Sequence, residues 1–426
     1  QPQPAADEEW ERFNWDAPIL ISPHSPTRLY YGSQRVWRSD DRGDSWTAVS
    51  PDLTKNEDRM LLPIMGRQWS STAPWDFVAM SAYNTITSLA ESPIQEGLLW
   101  AGTDDGLLQV SGNGGEDWAA IPVGDLPGVP ATAFVNDIKA DLFDADTAYV
   151  CLDNHKYGDF KPYLVKTTDR GATWTSIAGD LPERHLVWRM VQDHVKNDLL
   201  FVATEFGIFF TVDGGGAWIE LSGGAPTISF RDLAIQRREN DLVGASFGRG
   251  FYVLDDYSPL REVNTEVMKQ DAVLFPLRAT PWYIQRRTLG GRGQASQGGS
   301  YYIAENPPYG AVFTYHLGEG LKTLEDTRRE AEKKVEKEWK DTPYVGYDAL
   351  EKERREPEPA MVLTIRDAAG EVVRTLTAPA KKGFHRVAWN LTYPTTSAIR
   401  GVSEGRWGGS RGGFDANAGF MAHGVE

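Results

Sequence analysis

One carboxylate is a candidate for acid–base chemistry on a ligand. Glu205 follows the apolar run 200–203 and lies two residues before Gly207. Hydrolysis of a glycosidic bond uses two carboxyl groups, one as the acid and the other as the nucleophile or base. The chain has 60 acidic residues, so a partner for Glu205 is easy to imagine, but the sequence identifies none. Glu205 is therefore a weak catalytic candidate, and a purely structural turn position is the alternative.

Four aromatic side chains are candidates for ligand binding. Trp69, Trp75, Phe77 and Tyr83 lie in one long insertion and exceed what a tight connection requires. Aromatic rings of this kind stack on sugars and peptides, although packing into the core is the other common use of such side chains. We predict a binding role for this group and keep core packing as the alternative.

The histidines, the cysteine and the glycine-rich segments show no pattern typical of a cofactor or metal site. His155, His185 and His194 lie too far apart for the short pairings of a zinc site. Cys151, the only cysteine, lies in the apolar run 148–152, which favours a buried structural thiol. No phosphate-binding glycine loop followed by Lys and Ser or Thr is present. We therefore predict no cofactor and no metal.

Other acidic residues recur in a repeated motif that favours structure over catalysis. The motif is a hydroxyl residue, any residue, Asp or Asn, any residue, Gly, two further residues and Trp. Glycine supplies a positive φ, and the Asp or Asn accepts backbone hydrogen bonds within the turn. A calcium loop is the alternative, but its alternating oxygen ligands and closing Glu are absent. The members are Ser39, Asp41, Gly43, Trp46; Ser111, Asn113, Gly115, Trp118; Thr167, Asp169, Gly171, Trp174; and Thr211, Asp213, Gly215, Trp218.

These Asp-boxes are spaced at roughly the length of a β-propeller blade. An apolar strand precedes each of them, and a second strand runs into the box, as at 207–210 before the fourth box. A fifth unit keeps both strands, at 241–246 and 250–254, but lacks the box. The repeats therefore predict that the first part of the chain is a propeller.

From about Arg12 to Leu260 the chain resembles the Asp-box, or BNR-repeat, propeller families. It is most similar to bacterial sortilin-like proteins that are often labelled glycosyl hydrolases. Sortilin-like receptors bind peptides or proteins, so the resemblance implies a binding role. Their propellers are larger, which implies an incomplete propeller here, with further blades before Gln1. Besides the boxes, the resemblance rests on segments 12–15, 22–24, 204–209, 248–256 and 306–315.

Past Leu260 the repeats stop and the pattern indicates a second domain. Short strands separated by turn residues are typical of a β-sandwich. We predict an all-β chain with propeller blades over 1–262 and a sandwich-like domain over 263–426. A charged helical insertion is expected at about 321–357, and glycine-rich loops at 289–300 and 400–424. The predicted strands are 271–275, 311–317, 361–365, 371–376 and 385–389.

Charge and hydropathy exclude two classes of partner. The net charge is −16, and no basic stripe is present, which argues against nucleic acid. No apolar run approaches the length of a membrane-spanning helix. The chain begins Gln1-Pro2-Gln3-Pro4, so we expect a piece of a longer protein whose export signal preceded it.

Together these patterns predict an extracellular or periplasmic bacterial propeller. Its predicted partner is a protein, peptide or glycan, and the missing part of its own propeller is a further candidate. The alternative is a BNR-repeat glycoside hydrolase that uses a pair of carboxylates. Sialidase activity is disfavoured because the chain has no Arg-Ile-Pro segment.

Overall fold

The computed structural model describes residues 2, 7, 10–63, 66–73, 82–285, 304 and 306–394. The chain divides into two compact units, Gln1–Arg261 and Glu262–Glu426. The predicted loop at 289–300, the predicted tail at 400–424, and Trp75 and Phe77 lie outside the described residues. No described helix is long and apolar enough to span a membrane.

The first unit consists of five successive antiparallel sheets, which we call blades 1 to 5. In each blade the strands follow one another in sequence order. Blades 1 to 4 have four strands, and the described part of blade 5 has three. The strands are β1 Ile19–Ile21, β2 Leu29–Gly32, β3 Val36–Ser39 and β4 Thr47–Ala48; β5 Ile86–Glu91, β6 Leu99–Thr103, β7 Leu107–Ser111 and β8 Ala119–Pro122; β9 Phe134–Ala140, β10 Ala148–Asn154, β11 Asp159–Thr167 and β12 Thr175–Ser176; β13 Val187–Gln192, β14 Leu200–Thr204, β15 Gly207–Thr211 and β16 Ile219–Glu220; and β17 Phe230–Gln236, β18 Asp241–Ser246 and β19 Gly250–Leu254.

Apolar cores lie between successive blades. The second strands β6 and β14 are buried at every position, because each of their faces packs on a neighbouring blade. Separate cores join blades 1 and 2, 2 and 3, 3 and 4, and 4 and 5. The predicted all-β propeller fold class is confirmed. The repeats in the sequence mark the second and third strands of each blade, and the structure adds the first and fourth.

The Asp-boxes are tight turns that join the third and fourth strands. In the first box, Asp41 accepts hydrogen bonds from the Ser45 backbone N–H at 2.9 Å and from the Ser45 hydroxyl at 2.6 Å. Trp46 Nε1 donates to the Gly43 carbonyl at 3.0 Å. Trp218 differs, because its Nε1 donates across to the Ile177 carbonyl of blade 3 at 2.9 Å.

The second unit is a small two-layer β-structure with helices. Its core joins the two sheets through side chains that include Tyr315 and Leu363. In the charged insertion, Arg328 bridges the two longer helices through Glu353 at 2.8 Å and bonds Glu332 on its own helix. This matches the predicted sandwich with a helical insertion. The elements are β20 Ala272–Leu274, β21 Ala311–Leu317 and β24 Gly383–Trp389 in one sheet, β22 Ala360–Arg366 and β23 Val372–Pro379 in the other, and helices α1 Thr265–Met268, α2 Leu324–Lys337 and α3 Tyr347–Arg355.

Candidate functional site

The two ends of a blade are chemically different. In blade 4, Val187 at the start of β13 pairs with Thr204, and Thr204 pairs with Gly207 at the start of β15. The first strand therefore begins beside the turn that joins the second and third strands. We call this the hairpin end, and the opposite end, where each Asp-box follows the third strand, the Asp-box end.

At the Asp-box end the carboxylates are occupied within their own turns. Hydrogen bonds from the hydroxyl and then the backbone N–H of Ser45 lower the pKa of Asp41 to about 2. The corresponding bonds from Thr173 lower the pKa of Asp169. Carboxylates held in this way are stable anions that fix a turn, so they are poorly placed to exchange a proton with a ligand.

Glu205 lies at the hairpin end, in the turn between β14 and β15. The Thr204 hydroxyl shapes this turn by donating to the Gly207 carbonyl at 2.9 Å. Glu205 Oε2 accepts hydrogen bonds from Trp188 Nε1 and from the Ser229 hydroxyl, each at 3.0 Å. Ser229 immediately precedes β17, so Glu205 links blade 4 to blade 5. Both donors reach the same oxygen, and within the described part of the chain no donor reaches Oε1.

Arg231 lies against the indole of Trp188. The guanidinium carbon is 3.6 Å from the ring centroid, which is a close cation–π stack. Stacking removes water from one face of the guanidinium, and this burial lowers the pKa of Arg231, while the carboxylates of Glu205 and Asp153 partly offset the effect. Within the described residues no hydrogen bond occupies the guanidinium donors, so they are available to an acceptor on a ligand.

Blade 3 contributes an imidazole to the same cluster. His155 follows β10 and forms a short contact through Nδ1 with the buried carboxylate of Asp153. Its ring meets Trp188 edge-on, with the centroids 5.7 Å apart. Since the carboxylate fixes the ring orientation, Nε2 is the imidazole nitrogen left to face a ligand. Blades 3, 4 and 5 thus meet at Trp188.

A second histidine lies beside the Glu205 turn. His185 Nδ1 lies 3.2 Å from the Thr204 hydroxyl, and the His185 ring meets Phe206 edge-on at 5.3 Å. Burial lowers the pKa of His185 and favours its neutral form. His194 lies at the other end, following β13. No group of three or more His, Cys, Asp or Glu side chains within the described ranges is arranged to hold a metal ion.

Blade 2 has a different carboxylate at the position that corresponds to Glu205. Thr103 ends β6 as Thr204 ends β14, and Asp104 follows it. Asp104 accepts hydrogen bonds from the backbone N–H and hydroxyl of Thr85, at 2.8 and 2.7 Å. Burial raises the pKa of Asp104 to about 6, although these bonds and Lys156 act against it.

The described members of the predicted aromatic group are in different surroundings. The Trp69 ring is half-buried and stacks with the guanidinium of Arg67, at 4.7 Å. Tyr83 lies near the turn of blade 2, where burial, and then the charges of Asp105 and Asp104, raise its pKa. Trp75 and Phe77 lie outside the described residues, so binding by the four aromatic residues stays a prediction.

Exposed rings at the hairpin end come instead from three residues outside the predicted aromatic group. Tyr157, Phe206 and Phe247 follow the second strands of blades 3, 4 and 5, and are 65%, 40% and 76% exposed. We call these three residues the aromatic rim. Tyr157 and Phe206 lie in the turns that carry His155 and Glu205, and Phe247 lies in the corresponding turn of blade 5, so apolar contact area and hydrogen-bonding groups occur at the same end.

The wider cluster depends on contacts between blades. Asp153, His155, Trp188, Ser229 and Arg231 come from three blades, and no local motif marks them. Asp104 can be found from the sequence, because residues 103–106 and 204–207 share the order Thr, acidic residue, any residue, Gly.

No protein-family model and no curated protein matches the chain. Among solved structures, an ancestral GH74 enzyme is similar at 14% identity, with a TM-score of 0.41, over 73% of this chain and 38% of that chain. The GH74 xyloglucanase from Xanthomonas campestris is similar at 14% identity and a TM-score of 0.39, over 55% and 34%. YCF48 from Cyanidioschyzon merolae is similar at 15% identity and a TM-score of 0.34, over 63% and 90%.

This chain therefore spans less than half the length of the two GH74 proteins. At these identities and TM-scores the similarities carry no information about what the chain binds or catalyses. Its own hairpin end is the basis for a functional conclusion.

Proposed function

We propose that this chain is a ligand-binding propeller module that takes a protein, peptide or glycan at the hairpin end of blades 3 to 5. The observation that carries the proposal is the convergence at Trp188. Arg231 stacks on the indole face, Glu205 accepts from the indole N–H, and His155 contacts the ring edge. The donors of Arg231 and the Oε1 atom of Glu205 are oriented groups that a polar ligand can pair with.

The composition of the hairpin end suits a protein, peptide or glycan ligand. The aromatic rim gives apolar area, and the charged groups at Trp188 give directional hydrogen bonds. Sites with aromatic anchors and a few fixed polar groups recognise peptides and sugars. At the Asp-box end, by contrast, Asp41 and Asp169 are bonded within their own turns.

The test is binding of the full chain to glycan and peptide arrays, followed by calorimetry on the strongest hit. We expect Arg231→Ala to weaken that hit by at least roughly tenfold, because it removes a cation held on an aromatic face. Glu205→Gln should weaken it by a smaller factor. Glu116→Gln, an exposed carboxylate in the second Asp-box, is the matched control and should bind normally. Equal loss in the control, or no loss in Arg231→Ala, would remove the basis of the proposal.

Glycoside hydrolysis is the second candidate function, and the state of Asp104 favours it. Its pKa of about 6 keeps a fraction of this carboxyl protonated near neutral pH, as a general acid requires. Glu205 lies at the same end of another blade and would serve as the second carboxylate. Against this, both oxygens of Asp104 already accept from Thr85. The measurement is release of reducing sugar from polysaccharides and sialosides, with Glu205→Gln and Asp104→Asn expected to abolish any turnover if this candidate is correct.

We further propose that the protein is exported and belongs with the sortilin-like Asp-box propellers of bacteria. This rests on the Asp-boxes and on the segments shared with that group, such as 204–209 and 248–256. Fractionation of bacteria that produce the intact parent protein tests it, because the chain should then occur in the periplasm or the medium.

A further inference from the structure

A cavity of about 390 Å³ lies at the Asp-box end, where the second Asp-box meets blade 3. Leu98 and Val110 of blade 2 and Ala119 of β8 give it apolar surface, and Arg170 of the third Asp-box also lines it. A volume of this size suits a small ligand. Because the cavity lies at the opposite end of the blades from Trp188, it is separate from the site proposed above.

The second Asp-box leaves room for this cavity because glycine follows its hydroxyl residue. The corresponding residues of the other boxes are Asp40, Thr168 and Val212. A Cβ atom added to Gly112 would meet no atom within 4 Å, and Gly112 does not have the positive φ that favours glycine. The turn therefore does not need glycine at this position, and the missing side chain opens the cavity.

The same box places its carboxylate at the cavity instead of at the centre of the turn. In the first and third boxes, the hydroxyls of Ser45 and Thr173 donate to the central aspartate, each at 2.6 Å. In the second box the central residue is Asn113, whose Nδ2 donates to Asp117 Oδ2 at 3.0 Å. Asp117 lines the cavity, and within the described residues no hydrogen bond reaches its Oδ1. The second box thus keeps the turn and gives the cavity an available acceptor.

Arg170 gives the cavity a donor whose positive charge is already offset. Its Nε donates to Asp146 Oδ1 at 2.5 Å, and its Nη2 donates to Gln95 Oε1 at 2.7 Å. In the part of the chain that the structure describes, no acceptor occupies Nη1. Since Asp146 offsets the guanidinium and Asp117 adds a negative charge, an anionic ligand is disfavoured. A neutral ligand with adjacent hydroxyl groups can donate to Asp117 and accept from Arg170.

We propose that this cavity binds one ring of a neutral sugar. Ring hydroxyls donate to Asp117 Oδ1 and accept from Arg170 Nη1, and the C–H face of the ring packs on the apolar residues. Trp118 also lines the cavity, and because its Nε1 donates to the Gly115 carbonyl at 3.0 Å, the indole adds apolar surface. A single ring is expected to bind with a Kd on the order of 1 mM, so the cavity stays empty at the ligand concentrations used for the hairpin end.

Saturation-transfer NMR on the full chain, with the methyl glycosides of glucose, galactose and mannose at millimolar concentration, tests the proposal. We expect transfer to at least one of them. Gly112→Val introduces the residue that the fourth box has at this position, and should weaken binding by at least roughly tenfold because it fills the cavity. Thr168→Val makes the same change in the third box, away from the cavity lining, and is the matched control. Arg231→Ala should also bind the sugar normally, which separates this site from the hairpin end.

A double variant tests the carboxylate while keeping the turn. Asn113→Asp with Asp117→Ser gives the second box the residues that Asp41 and Ser45 provide in the first box, where the carboxylate is bonded within its turn. Loss of the acceptor at the cavity should weaken sugar binding roughly tenfold. Circular dichroism melts check that each variant folds. Absence of transfer to all three glycosides, or undiminished binding in either Gly112→Val or the double variant, would overturn the proposal.

Discussion

Polar side chains have different hydrogen-bond partners at the two ends of the same blades. At the Asp-box end, Asp41 and Asp169 are bonded by neighbours four residues away. At the hairpin end, Glu205 is bonded by side chains from two blades, and Arg231 crosses to Trp188. The carboxylate that recurs in three of the four Asp-boxes therefore stabilises a turn. The positions that differ between repeats are the ones that can distinguish a ligand.

The hairpin position itself illustrates this point. Asp104, Glu205 and Phe247 follow the second strands of blades 2, 4 and 5. Asp104 is a buried carboxyl bonded within its own blade. Glu205 is a carboxylate that accepts hydrogen bonds from two blades, and Phe247 is an exposed ring. The scaffold is constant and the side chain is not, which is the usual relation between a rigid fold and its binding loops.

The largest effect is expected at the Asp-box end, from loss of a buried anion. Asp193 is fully buried and accepts hydrogen bonds from Arg261 at 2.7 Å and Tyr257 at 2.6 Å. Burial alone would raise the pKa of Asp193, but these bonds more than offset it, so its pKa is lowered. Asp193→Ala removes the carboxylate that pairs with Arg261, which keeps its hydrogen bond to Asn240, and should cost about 3–5 kcal/mol in the free energy of unfolding. Urea denaturation measures this change.

The same residue gives a pH dependence with a defined sign. Because the pKa of Asp193 is lower in the folded chain, its contribution is complete above the pKa of the unfolded chain and is lost as the pH falls through the folded value. Wild type should therefore lose stability in acid relative to Asp193→Ala. A constant difference between the two proteins from neutral pH to strong acid would contradict this account.

Asp104 should show the opposite behaviour at the hairpin end. Its folded pKa of about 6 lies above the usual value, so this group lowers the stability of the fold as the pH rises from about 4 to about 6, and the loss is complete above that range. Asp104→Asn removes the charge and keeps the hydrogen bond from the Thr85 backbone N–H, while its amide NH₂ donates to the Thr85 hydroxyl oxygen instead of accepting from it. We expect this variant to be more stable than wild type by about 2 kcal/mol at pH 7 and equal to it near pH 3. Thermal melts at both pH values distinguish this from a uniform shift.

Arg231→Ala at the hairpin end should reduce ligand affinity without the loss of stability that is expected for Asp193→Ala at the Asp-box end. Arg231 is exposed apart from the face that lies on Trp188, and it belongs to no apolar core, so the free energy of unfolding should change by less than about 1 kcal/mol. Ligand affinity should nevertheless fall as proposed above. Calorimetry and denaturation of the same preparation give both numbers. A variant that loses stability and affinity together would show that Arg231 supports the fold instead of the ligand.

The smallest effect is expected from Phe247→Ala on the aromatic rim. This ring is 76% exposed, so its removal should leave stability unchanged and weaken the ligand only a few-fold. Array binding under identical conditions measures it. Unchanged affinity would show that Phe247 does not contact the ligand.

The sequence was sufficient for the repeats because their information is local. Each Asp-box fits within eight residues, and the apolar strands before it can be read directly. The fourth strands β12 and β16 have only two residues, too few for a pattern. The first strands carry no box beside them, so the repeats did not mark them.

The candidate site was predictable only in part, for a related reason. Glu205 could be selected because a carboxylate after a buried strand and before a glycine is a local signal. Its partners Trp188 and Ser229 lie 17 and 24 residues away and reach it only after the blades pack. Asp153 and His155 belong to blade 3. Packing between sheets, which no spacing encodes, brings these residues together.

Hydrogen–deuterium exchange of the full chain, with and without the strongest array ligand, tests the central claim most directly. The claim predicts that the ligand slows exchange in 153–157, 187–189, 204–207 and 229–232 and leaves the Asp-boxes at 39–46, 111–118, 167–174 and 211–218 unchanged. Slowed exchange confined to the Asp-boxes, with the hairpin end unaffected, would contradict it.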